Sequence, residues 1–170
     1  MIQFQCDYNE GAHPVILQRL TETNMEQTIG YGEDAYCREA VNLIKEACQR
    51  EDIDVHFLVG GTQTNTTVIA HLLRPYQGVI SAESGHINVH ETGAIEATGH
   101  KVLAIEGKDG KLSADQIREQ HKLHWEDGSH EHIAQPKLVY ISNPRRAPSK
   151  NRYILHSSHA LRIASNSAFE

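Results

Sequence analysis

No apolar run in this sequence approaches the roughly 18 to 20 residues that a bilayer-spanning helix needs. The opening stretch MIQFQCDYNEGAHP also lacks the basic segment and apolar run of a secretory leader, so a cytoplasmic protein is expected. Cysteine is scarce. Cys6, Cys37 and Cys48 are an odd number with no CxxC pair, which argues against a disulfide framework and a zinc knuckle and in favour of reduced, structural thiols. An excess of basic residues is missing too: the formal charge is −6, so no nucleic-acid partner is expected. There is no GK[ST] and hence no support for a nucleotide P-loop. What the 170 residues do provide is enough chain for one domain with its own core.

The charge is unevenly spread. Residues 1–144 hold 11 Lys/Arg against 21 Asp/Glu, whereas residues 145–170 hold 5 against 1. The final stretch, RRAPSKNRYILHSSHALRIASNSAFE, thus differs in character from everything before it.

Periodicity predicts a short helix in HPVILQRL (13–20), with Pro14 in its first turn. A clearer helix is predicted over 35–49, with Asp34 as N-cap and an apolar face of Val41, Ile44 and Cys48 flanked by Ala40, Leu43 and Ala47. VHFLV (55–59) reads as a strand ending at Gly60-Gly61, followed by a helix that stops before Pro75. GVISA (78–82), KVLAIE (101–106) and PKLVYIS (136–142) read as further buried strands. Segments 87–98 and 113–122 read as helices, the second opened by a Ser113/Gln116 capping-box spacing. HWEDGSHEHIAQP (124–136) reads as a polar loop. Strands alternating with helices predict an α/β fold: a mainly parallel sheet with helices on both faces.

Two stretches carry chemistry. GGTQTN (60–65) joins glycines, which permit close backbone approach, to a helix N-terminus whose unpaired N–H groups suit a phosphate; Thr62, Thr64 and Asn65 add side-chain donors. The same six residues also fit an ordinary, well-capped strand-to-helix turn. In SAESGHINVHETGA (81–94), His86 follows a strand end, where open parallel sheets bind ligands, and Glu91 lies five residues on, within reach to orient it. His121, His124, His130 and His132 invite a metal, but HxxH followed by HxH does not put three ligands on one helical face, and no HExxH accompanies them. No metal is expected.

In order, CDYNEGAHP, YGEDAYCREA, GGTQTN, ESGHINVHETGA and LVYISNP resemble the low-specificity threonine aldolases, within the β-eliminating lyases that use pyridoxal 5'-phosphate (PLP). The resemblance spans roughly residues 4 to 144. It implies the PLP-dependent transferase fold (fold type I) and cleavage of a β-hydroxy-α-amino acid such as threonine to glycine and an aldehyde. It also implies roles for single residues. Gly61, Thr62 and Gln63 would hold the cofactor phosphate, His86 would stack on the pyridine ring near the reacting carbon, and Asn143 would lie close to the cofactor. Cys6, where the family commonly has serine, and Asp7 would lie at the substrate end. Tyr31 would reach the site of a neighbouring subunit in a homodimer or homotetramer.

The resemblance stops after Pro144. The family's Schiff-base lysine and the aspartate on its pyridine nitrogen have no matching stretch here, and Lys150 in PSKNR lacks the flanking pattern. The expectation is therefore that residues 1–144 form the N-terminal part of a PLP-binding large domain, that 145–170 is a divergent basic tail, and that the truncated chain is inactive and exposes apolar surface. Another PLP-dependent β-eliminating lyase and a non-catalytic phosphate-binding fragment are the alternatives.

Overall fold

The structure is a computed structural model; it describes residues 10–141 in full and the backbone of Ser142 and of residues 159–162. These residues fall into two compact units that divide between Phe57 and Leu58.

The first unit holds two helices, α1 (Pro14–Thr23) and α2 (Ala35–Cys48). Pro14 starts α1, where its missing N–H costs no helical hydrogen bond, and His13 Nδ1 accepts from the Val15 N–H. Asp34 caps α2 as its position predicts, its Oδ1 accepting from the Cys37 N–H at 2.8 Å. At the other end Gln49 adopts φ 53°, and the Arg50 N–H reaches back to the Lys45 carbonyl. Both helices are amphipathic, yet neither buries a residue, and Val15, Ile16, Leu17 and Leu20 all stand more than half exposed.

The second unit is built on a sheet of order β2-β1-β3-β4, formed by β1 (Gln77–Ala82), β2 (Lys101–Ile105), β3 (Gln135–Ser142) and β4 (His159–Arg162). β1 runs parallel to both β2 and β3, and β4 pairs antiparallel to β3. The mainly parallel α/β fold is thus present. Every residue of β1 is buried, as a central strand covered on both faces requires. On one face Val79 meets Val102 and Leu138 in register, and Ile69 of α3 (Gly61–Leu72) and Leu73 just after it complete the cluster with Ile87, Ile95 and Tyr140. α5 (Ala114–Glu126) lies against β3. The β1–β3 ladder shifts register after Gly78↔Pro136, where proline has no N–H to donate.

Three expectations need correction. Residues 55–59 are not a strand: the stretch forms no ladder among the described residues, and Val59 is 97% exposed. Residues 87–98 are not one helix. They form a single turn, α4 (His86–Val89), then a reversal, then a 3-10 turn (Glu96–Thr98), because Thr92 (φ 54°) and Gly93 (φ 75°) are both left-handed and the Ala94 N–H bonds the Glu91 carbonyl. The stretch 124–136 is only partly loop. α5 continues to Glu126 with His124 buried in its last turn, and a 3-10 turn follows at His130–His132. Among the described residues no helix is long and apolar enough to cross a membrane.

Candidate functional site

β1 ends in a turn that only glycine can make. A Cβ on Gly85 would lie 2.1 Å from Ser81 Oγ and 2.9 Å from the Ala82 carbonyl oxygen, inside any allowed contact. The Gly85 N–H closes the turn onto that carbonyl, and the Glu83 N–H ties it to Ile105 at the end of β2. His86 is thereby delivered at the carboxyl ends of the parallel strands, the edge at which such sheets bind ligands.

Its ring is held from one side. His86 Nδ1 lies 2.8 Å from Glu91 Oε1, with the imidazole 40% exposed and the Glu91 side chain fully buried. Glu91 does orient His86, but not along a helix: five residues at 100° each would place it about 140° around the axis. α4 stops after one turn, and His90 at φ −123°, ψ 4° takes Glu91 off the helical path instead. The same Oε1 accepts from Asn65 Nδ2 at 2.6 Å. The other oxygen, Oε2, is buried and receives no hydrogen bond from the described residues. Tyr140, 2% exposed, completes the group; burial first, then the Glu91 charge, push its phenol well above the usual range, and the Asn65 amide works the other way.

Asn65 is therefore not a phosphate donor. It sits on the core-facing stripe of α3, four, seven and eight residues before Ile69, Leu72 and Leu73. An amide among such positions needs a buried polar partner, which is the signal that could have found Glu91. Tyr140 was missed as well; it alternates with Leu138 on the core side of β3, a phenol where a hydrocarbon would serve.

The start of α3 is open. Gly60 is extended at the N-cap and no side chain caps the helix. The first helical hydrogen bond is the Thr64 N–H to the Gly60 carbonyl, so the N–H groups of Gly61, Thr62 and Gln63 are the ones the helix leaves over. All three residues are exposed. Gln63 turns its Oε1 back to the Val59 N–H at 2.9 Å, and the Thr64 hydroxyl donates to the Gly60 carbonyl, so those side chains shape the turn.

Tyr31 belongs to the first unit, fully exposed and left-handed (φ 64°) before Gly32 (φ 79°). Cys6, Asp7 and Asn143 lie outside the described residues. Among the described residues no three His, Cys, Asp or Glu side chains are placed to hold a metal ion. His121, His124 and His130 instead form a ring cluster with Trp125, whose indole N–H donates to His121 Nε2 at 3.1 Å.

A sequence profile described as beta-eliminating lyase matches residues 7–147. The chain belongs to the beta-eliminating lyase family. Two curated relatives are low specificity L-threonine aldolases. The one from Pseudomonas aeruginosa is 30% identical over 119 residues, covering 69% of this chain and 34% of the relative. The one from another Pseudomonas strain is 28% identical over 152 residues, covering 88% and 42%. A solved structure of the Leishmania major threonine aldolase superposes with a TM-score of 0.75 at 50% identity, over 81% of this chain and 39% of that one. The family and the fold agree with the sequence reading, and the chain spans about two fifths or less of the length of these relatives.

Proposed function

We propose that this chain is the phosphate-binding and ring-stacking part of a PLP-dependent aldehyde-lyase that cleaves a β-hydroxy-α-amino acid, threonine first among them, to glycine and an aldehyde. The observation that carries the reading is the pairing of an uncapped α3 start with a half-exposed His86 oriented by a buried carboxylate, inside a stretch matched by the family from residue 7 to 147. Threonine is favoured over tryptophan as substrate because the relatives and the solved structure named above are all threonine aldolases.

The residues present fit the phosphate end of the cofactor. Three leftover N–H groups, two glycines without side-chain bulk and the positive end of the helix dipole form a donor set for a dianion. Bound there, the cofactor supplies an electron sink for cleavage next to the amino-acid α-carbon. The chain's own part is to bind and orient. Gly61, Thr62 and Gln63 hold the phosphate, and His86 lies against the ring and moves a proton at Nε2. By family resemblance, Asn143 would serve the cofactor and Cys6 and Asp7 the substrate end. Tyr31, in its exposed left-handed turn, reaches a second subunit of a homodimer or homotetramer.

No residue of the 170 matches the Schiff-base lysine or the aspartate partner of the pyridine nitrogen, so this stretch holds PLP reversibly and does not turn threonine over by itself. Titration with PLP, pyridoxal and inorganic phosphate tests this. The expected result is PLP binding competed by phosphate, little affinity for pyridoxal, and no specifically fixed cofactor after borohydride reduction. Equal affinity for PLP and pyridoxal would show that the α3 turn holds no phosphate and would overturn the reading.

A further inference from the structure

We infer that Glu91, anchored by Asn65, is a positioning residue that fixes the ring orientation and tautomer of His86, with the proton on Nδ1 and the lone pair on Nε2. An ionised carboxylate only accepts hydrogen bonds, so at 2.8 Å from Glu91 Oε1 the Nδ1 of His86 is the donor. Asn65 Nδ2 donates to the same Oε1 at 2.6 Å and holds the carboxylate from the opposite element. Oε2 is buried and makes no hydrogen bond among the described residues, so Oε1 carries both contacts. Titratable neighbours among the described residues include His90, whose ring centroid is 5.4 Å from that of His86, and the buried phenol of Tyr140.

Stability alone does not account for the arrangement. A buried polar pair contributes little that well-packed apolar side chains would not, and the β1–α3 core next to it is apolar. What the carboxylate adds is direction. Asn65 is one turn into the helix that begins at Gly61, and His86 is the first residue of α4. One buried carboxylate therefore couples the proposed phosphate turn to the imidazole, so that the two halves of the site are set against each other before any ligand arrives. The use of Nε2 on a substrate rests on the proposed function; the tautomer does not.

The test is long-range proton–nitrogen NMR of the ¹⁵N-labelled full chain, above the imidazole titration range. The native protein is expected to show His86 as the Nδ1–H form. In Glu91→Leu the acceptor is gone and the population should reverse to mainly Nε2–H, with the His100 and His124 signals unchanged as a check on the fold. If that variant does not fold, Glu91→Gln serves: its amide can offer Nδ1 either an oxygen or an N–H, so a mixture is expected. An Nε2–H form in the native protein, or an unchanged Nδ1–H form in a folded variant, overturns the assignment. The same samples titrated with PLP separate the two ideas: an Nδ1–H His86 in a chain that ignores PLP confirms the tautomer and removes the proposed function.

Discussion

Helices α3 and α5 begin in opposite ways. α5 is sealed: Ser113 Oγ accepts from the Gln116 N–H while Gln116 Oε1 accepts from the Ser113 N–H, and Asp115 places a negative charge in the first turn. α3 has glycine at its N-cap, no side-chain cap and no acidic residue in its first turn. Their histidines differ too. His86 is partnered by a buried carboxylate, whereas His124, packed against Trp125 and His130, has a buried Nδ1 with no hydrogen bond among the described residues. A helix end that serves only the fold satisfies its own donors, and one left open has donors to give to a ligand.

The largest effect is expected from closing the turn that presents His86. Gly85→Ala forces a methyl group against Ser81 and Ala82, so the turn must shift, at a cost of about 1–3 kcal/mol. Urea unfolding should show the loss, and His86 should lose its contact with Glu91. A stability equal to the native protein's would mean that glycine is not required there.

A smaller pair of changes exchanges the character of the two helix starts. Ser113→Ala unseals α5 and should cost about 1 kcal/mol with PLP affinity unchanged. Thr62→Asp gives α3 the first-turn charge that α5 already has; it should raise stability by about 0.3–1 kcal/mol while sharply weakening PLP binding through repulsion of the phosphate. Should both variants leave PLP affinity alone, the open end of α3 is not a phosphate site.

The smallest effect at neutral pH concerns His124. Burial, then the nearby His130 and His121, hold its pKa below the ordinary 6.5, with Asp127 opposing. Its pKa is lower folded than unfolded, so the unfolded chain binds the proton first. Stability is therefore untouched above the ordinary value and falls as the pH drops through it towards the folded value. In urea midpoints at about pH 8 and about pH 5, His124→Gln should lose less on acidification than the native chain.

Local pattern determined much of this protein. The Asp34 cap, the Ser113/Gln116 box and the three parallel strands follow from residue spacing, because caps and strand alternation are satisfied within a few residues. The open start of α3 was legible as a helix start with leftover donors. Family membership came from the ordered motifs and not from any one of them, and the profile match bears it out. Tertiary structure decided the rest. VHFLV (55–59) has strand composition and is not a strand, because a strand also needs a partner that local pattern does not supply. Asn65 reads as a ligand donor until its place on the buried stripe of α3 is known. Glu91 meets His86 because α4 stops after one turn and His90 leaves the helical path, which brings the carboxylate to Nδ1. Such contacts join residues 26 apart through a closed core, and no local periodicity encodes the partner across that distance.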